Sequence, residues 1–308
     1  MRKIKLISTI LLLFVLLSCA CSCVAQNNKE NTTNGISVIA TLFPQYDFAR
    51  AILGEKGNAV LLLSPGADSH NFELTPTDIR KINNSDIFVY TGPDMEVWVD
   101  SIINSINAKV KVVNLSEGLT LKETDHGHDH GAMDPHLWTN PVYAKEMLKA
   151  ICNSICQTDP ENKDYYEANY LSYSQELEAI DTEIKDIASN ANNNCLYFSG
   201  KFAFYHFVEE YGFTYAAPFN SCSDVQIESP AAINNLIESI KNSNTKYVFY
   251  EELSNNSILE TIVAQTNVTP LLLHSTHNVS KEEYENGVTY ASLMKNNVLN
   301  LRKALIDG

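Results

Sequence analysis

Eight short apolar runs, four on each side of one long amphipathic stretch, limit the folds open to this chain more than any other feature. The first four are residues 36–41 (ISVIAT), 58–63 (NAVLLL), 86–90 (DIFVY) and 110–114 (VKVVN). The second four are 195–199 (CLYFS), 213–217 (FTYAA), 246–250 (KYVFY) and 269–273 (TPLLL). Helical patterns at 44–53, 75–83, 141–157, 229–242 and 255–266 lie among them. Strands that alternate with helices predict an α/β fold, with two lobes of mostly parallel sheet flanked by helices. A chain of 308 residues can bury a core in each lobe.

The stretch between the two sets reads as one long helix. Asp159 is placed to cap it, and Pro160 suits its first position. Tyr166, Tyr170, Tyr173, Leu177, Ile180, Ile184 and Ile187 then recur at alternating steps of four and three, which makes an apolar stripe on one face. A helix over about 160–189 would run roughly 45 Å. It is expected to pack along both lobes as a rigid link.

The first 25 residues stand apart. Arg2, Lys3 and Lys5 precede the apolar run 6–17, which is too short for a typical membrane span, and small residues and cysteines follow. This is a secretory signal. Leu16-Leu17-Ser18-Cys19 resembles a bacterial lipobox, so Cys19 is the expected lipidation site, with Cys21 or cleavage after Ala25 as alternatives. Residues 26–34 are polar and aperiodic, as in a flexible tether. The expected organisation is thus signal 1–25, tether 26–34, N-terminal lobe 35–158, linking helix 159–190 and C-terminal lobe 191–308. The net charge of −15 becomes more negative once the basic signal is removed, which argues against nucleic acid as a partner. Cys152 and Cys156, one helical turn apart among apolar residues, read as buried inert thiols. Cys195 and Cys222 could pair after export.

The eight histidines carry the chemical signal. His70 follows the second run through a Pro65-Gly66 turn, and His274 and His277 follow the last. His136 opens the segment leading into the helix at Asn140-Pro141. His126, His128 and His130 crowd into the 125–131 loop DHGHDHG, a tract suited to weak metal capture or sensing. In parallel sheets ligands bind beyond the carboxyl ends of strands, so these histidines can meet in one cleft between the lobes. Neutral imidazole is the common zinc ligand. Any one histidine alone could equally be a core or cap residue.

Longer motifs carry a resemblance. GADSHNFELTP (66–76), DIFVYTGPDMEVWVD (86–100, with Glu96 and Trp98) and MDPHLWTNP (133–141), preceded by the histidine-rich insert, resemble the zinc/manganese-binding subgroup (cluster A-I) of bacterial ABC-transporter substrate-binding lipoproteins, zinc-type. The resemblance implies a metal held between two lobes by His70 and His136. It also implies a third histidine where this chain has Lys201, which as a protonated amine is no ligand. The family's acidic fourth position is taken here by His274, with His277 nearby. The expected set is therefore His70, His136 and one or both of His274 and His277. Such a nitrogen-rich set favours Zn²⁺ over Mn²⁺. Cys222 is an alternative thiolate, and Glu228 and Glu251 read as structural. His206 lies off the apolar face made by Phe204, Phe207 and Tyr211. With Glu209 it forms an HxxE, read as a solvated helix face.

The function implied is that of a monomeric, lipid-anchored receptor on the outer face of the cell membrane. It would deliver Zn²⁺, as cargo rather than cofactor, to an ABC permease and its ATPase. The alternatives are a manganese receptor, a secreted zinc hydrolase, and a surface adhesin with a structural metal. An enzyme is not expected, since no HExxH is present.

Overall fold

The computed structural model describes residues 35–67, 72–119, 134–219, 229–254 and 256–307. The signal with Cys19, the tether, His70, the 125–131 loop with His126, His128 and His130, Cys222 and Glu228 lie outside the described residues. No helix among the described residues is long and apolar enough to cross a membrane.

All eight apolar runs form strands. The first lobe contains β1 (Ile36–Ala40), α1 (Phe43–Leu53), β2 (Gly57–Leu61), α2 (Pro76–Asn83), β3 (Ile87–Tyr90), β4 (Lys111–Asn114) and α3 (Pro141–Thr158). After a 3-10 turn at Pro160–Asn162, the linking helix α4 spans Lys163–Asn190. The second lobe contains β5 (Cys195–Tyr197), α5 (Tyr205–Tyr211), β6 (Thr214–Ala216), α6 (Pro230–Asn242), β7 (Tyr247–Tyr250), α7 (Ser257–Thr266), β8 (Thr269–Leu272), α8 (Lys281–Glu285) and α9 (Tyr290–Leu305).

The first sheet is parallel, in the order β2-β1-β3-β4. In the second lobe β5 pairs with β6 and β7 with β8, also parallel. A bridge between Phe198 and Phe249, with the Ser199 N–H donating to the Phe249 carbonyl at 2.8 Å, joins these pairs. The order is then β6-β5-β7-β8, the same topology as the first sheet. Each sheet reverses its winding between its first and third strands, where an open α/β sheet leaves a crevice.

In the first lobe the protein fills that crevice itself. The buried Glu96 carboxylate accepts from the Thr41 hydroxyl, the Thr91 and Gly92 N–H groups and the Thr91 hydroxyl. Burial raises its pKa against the pull of these donors. Trp98, two residues on, packs against Phe72 and Phe88.

The stripe on α4 is buried as expected at Tyr166, Tyr173, Leu177, Ile180, Ile184 and Ile187, while Tyr170 is half-buried. Twenty-eight residues give about 42 Å of helix. Asp159 accepts from the Asn162 amide and the Tyr166 hydroxyl, which helps fix the helix start. The helix packs against α1 and α3 of the first lobe and α5 and α9 of the second. One apolar core, from Val38 and Phe48 to Tyr290 and Leu301, runs through both lobes. Asp47 pins the junction, accepting from the Tyr173 hydroxyl of α4, the Tyr290 N–H of α9 and Arg50. Cys152 and Cys156 are buried thiols with sulfurs 3.9 Å apart, and burial pushes the Cys152 thiol up to about 12. At that pKa the thiol is inert.

Candidate metal centre

His136 stands just before α3. Asn140 caps that helix, its side chain accepting from the Val142 N–H at 2.9 Å, and Pro141 takes the first position. Two residues before His136, Asp134 Oδ1 accepts both the His136 backbone N–H and its ring Nδ1–H, each at 2.8 Å. Two bonds to one carboxylate fix both the ring's direction and its tautomer. The proton is on Nδ1, and the Nε2 lone pair is the one suited to a metal. Burial works against the Asp134 charge, but the His136 and His206 rings outweigh it and hold the carboxyl below its ordinary pKa.

His206 is placed differently from the sequence expectation. It is 2% exposed, and its Nε2–H donates to the Asp134 carbonyl at 2.7 Å. Phe204, Phe207 and Tyr211 do face the core, but segment 134–140 covers the helix on a second side and buries His206 too. Glu209 stays exposed. Burial lowers the His206 pKa, and the ring buttresses Asp134 through its bond to the Asp134 carbonyl.

The second lobe supplies His277. Its ring meets that of His136 edge-on, with centroids 4.9 Å apart, and lies 5.0 Å from Trp138. The turn that carries it is strained. Thr276, a β-branched residue, has φ +58°, a conformation that costs on the order of 1–3 kcal/mol and persists only where the surroundings enforce it. Trp138 Nε1 donates to the Ser275 carbonyl at 2.9 Å, which ties this turn to the His136 segment.

The same turn reaches the loop after β2, at residues 64–67. The buried Asn278 amide donates to the Ser64 and Ala67 carbonyls, each at 2.8 Å, and the Gly66 N–H donates to the Val279 carbonyl at 2.8 Å. Gly66 has φ +81°, which a glycine adopts without strain. His70 follows Ala67 by three residues. Bonds between backbones and side chains thus tie residues 64–67, the His136 segment and the turn of His277 together.

His274 takes another path. It is 1% exposed, its Nδ1 accepts the Thr276 N–H at 2.9 Å, and its Nε2 lies 3.7 Å from Glu283 on α8. The His274 ring, foremost, and the Ser280 hydroxyl and N–H hold the Glu283 carboxyl down to about 2. Lys201, just past β5, is half-buried, and Glu251 accepts the Ala203 N–H at 3.2 Å, a structural bond. Among the described residues no three His, Cys, Asp or Glu side chains converge as a metal cluster. The rings of His136 and His277 meet from opposite lobes. Sequence reasoning did not single out Asp134 or Asn278. An aspartate two residues ahead of a candidate ligand, the pattern of an Asx turn, was the available signal for Asp134.

Comparison with known proteins agrees with the fold. A family model described as zinc-uptake complex component A, periplasmic, matches residues 38–304. The high-affinity zinc uptake system protein ZnuA of Bacillus subtilis is 31% identical over 304 residues, which is 95% of this chain and 95% of that protein. The zinc-binding lipoprotein AdcA of Streptococcus pneumoniae is 26% identical over 98% of this chain but only 61% of its own length. The crystal structure of the metal-dependent lipoprotein YcdH of Bacillus subtilis superposes with a TM-score of 0.77 at 32% identity, covering 88% of this chain and 100% of that one. The Zn(II)-bound ZnuA-like domain of Streptococcus pneumoniae AdcA gives 0.76 at 25% identity over 88% and 99%. The matched segment takes in both sheets, the linking helix and every histidine of the candidate centre, and on that ground the chain belongs to the zinc-uptake complex component A family.

Proposed function

We propose that this chain is an extracytoplasmic zinc receptor, which takes up Zn²⁺ between its lobes and hands it to an ABC permease powered by a cytoplasmic ATPase. Its work is binding and release. The convergence of three histidine segments carries this reading: Asn278 holds the approach to His70, Trp138 holds the turn of His277, and that ring meets His136. His70, His136 and His277 are the proposed ligands, and His274, the fourth histidine of the expected set, is turned toward Glu283. Three imidazoles favour Zn²⁺ over Mn²⁺, which prefers oxygen donors. The 125–131 loop is proposed to capture the ion before it reaches the cleft. Residues 1–25 are proposed to direct export, Cys19 to carry the lipid anchor, and the mature chain to act as a monomer.

Calorimetry on the mature chain lacking residues 125–131 tests the reading, with one tightly bound Zn²⁺ per chain and much weaker Mn²⁺ as the expected result. Equal or tighter Mn²⁺ binding would overturn the zinc assignment. For the anchor, Cys19→Ser is expected to abolish fatty-acid labelling and release the protein from membranes. Continued labelling would move the site to Cys21 or Cys23.

A further inference from the structure

The turn at 274–278 is held from every side. Asn297 on α9 accepts the His274 N–H at 2.7 Å and donates to the His274 carbonyl at 2.8 Å. The Glu252 carboxylate accepts the Ser275 N–H at 2.7 Å and the Ser275 hydroxyl at 2.6 Å. Trp138 donates to the Ser275 carbonyl from the other lobe. These bonds fix Ser275 on both sides of its peptide. The next residue, Thr276, must then turn through φ +58° to bring His277 round to His136. One side chain holds the Thr276 N–H in that conformation, and it is His274.

A backbone N–H can only donate, so His274 Nδ1 must accept, and the proton of the neutral ring is on Nε2. Nε2 is buried, has no hydrogen-bond partner among the described residues, and lies 3.7 Å from Glu283 Oε1. The one lone pair that imidazole could offer a metal is therefore engaged by the protein's own backbone. His277, three residues on, has its ring against His136.

We infer that His274 is a positioning residue for the zinc site and not one of its ligands. By accepting the Thr276 N–H it holds the left-handed turn that aims His277 at His136, and so sets zinc affinity without touching zinc. The inference rests on the zinc-receptor reading and makes it more specific. It also gives the two neighbouring histidines separate tasks.

The two roles separate by substitution. In His274→Asn the side-chain oxygen can take the place of Nδ1, because an asparagine that accepts the N–H two residues on is an ordinary Asx turn. His274→Leu keeps the bulk and removes the acceptor. Zinc affinity of the mature chain is measured by calorimetry, and imidazole ligands are counted by X-ray absorption of the zinc-loaded protein. His274→Leu is expected to weaken zinc about 10–100-fold, as loss of an outer support does. His274→Asn is expected to stay within about threefold of the parent with an unchanged imidazole count. Adding Thr276→Gly to His274→Leu is expected to recover part of the loss, since glycine adopts φ +58° freely. If His274→Asn loses as much affinity as His274→Leu and the imidazole count falls by one, His274 is a ligand and the inference is overturned. Should His274→Leu fail to fold, the asparagine variant and its imidazole count decide alone. A parent chain that binds no zinc would sink the receptor reading itself, and the positioning role with it.

Discussion

Asp134 accepts both the backbone N–H and the ring Nδ1–H of His136 at 2.8 Å, so a single carboxylate sets where the segment turns and which ring nitrogen carries the proton. Outer partners of this kind are worth about 10–100-fold in metal affinity. Asp134→Ala is expected to weaken zinc by that factor while leaving the number of imidazole ligands unchanged. Asp134→Asn keeps an acceptor oxygen but loses its charge, and should fall between the two. Calorimetry with X-ray absorption checks both, and an Asp134→Ala protein with parental affinity would show that the ring is oriented by other means.

Asn278 makes the corresponding link between the turn of His277 and the approach to His70. Asn278→Ala leaves the Ser64 and Ala67 carbonyls without this donor, at a cost of about 1–3 kcal/mol in stability. Zinc affinity should fall as well, because the bond joins two of the proposed ligand segments. Urea unfolding of the metal-free chain and zinc calorimetry should both report the change. A stability loss with unaltered zinc affinity would separate the His70 segment from the site.

Asp47 at the lobe junction should behave in the opposite way. It accepts from Tyr173, Tyr290 and Arg50, and the Tyr173 hydroxyl in turn accepts the Ala291 N–H at 3.1 Å. Tyr173→Phe is expected to lower stability by about 1–2 kcal/mol, and Asp47→Ala by about 3–5 kcal/mol because it orphans buried donors. Zinc affinity should change little. The urea midpoint should shift without a change in slope. A zinc loss as large as that of Asp134→Ala would mean that the junction governs the cleft.

Much of this architecture was legible in the sequence because it follows from periodicity. Apolar runs such as 86–90 bury on both faces and form central strands, and the stripe from Tyr166 to Ile187 admits one helix. Strand-end histidines were also legible, since parallel sheets place their sites there. The bonds between segments were not. Nothing local to Asn278 points to Ser64, and nothing near Trp138 points to Ser275, because those pairs meet only once both lobes are folded. His206 shows the same limit from the other side. Its helix has one apolar face by sequence, but a second segment packs over it, and helical periodicity records the faces of one helix without recording what later covers them. His274 lies just past the end of β8 and His277 three residues on, and that spacing does not tell their roles apart. The left-handed turn at Thr276, which gives them different surroundings, has no signature in a threonine.

The metal-free chain should lose stability in acid through its depressed carboxyls, Glu283 and Asp134 among them. Glu283 is held down to about 2, and Asp134 also lies below its ordinary value. A depressed carboxyl contributes stability that is present above its unfolded pKa and lost as pH falls toward the folded one. The window for Glu283 therefore runs from about 4.5, the unperturbed value, down to about 2. Glu283 is about a third exposed, so solvent screens part of its contribution. Glu283→Gln keeps an acceptor for Ser280 and should flatten the fall in urea midpoint between pH 4.5 and 3. An unchanged pH profile in that variant would mean that the Glu283 interactions persist in the unfolded chain.

Zinc binding should respond to pH in a higher window. Each proposed ligand, His70, His136 and His277, must present an unprotonated nitrogen, so protons compete with the metal. Unperturbed histidine titrates near about 6.5, and affinity should fall steeply as pH drops through that value. Well below it, each histidine ligand adds up to about one tenfold step in Kd per pH unit, so three give a slope approaching about three. Oxygen donors would behave otherwise, since carboxylates titrate near about 4. Zinc affinity measured from pH 5 to 8 on the chain lacking residues 125–131 reads the slope directly, and His277→Ala should reduce it by about one. A profile flat to pH 5 would mean that carboxylates hold the ion and that His277 packs against His136 without binding metal.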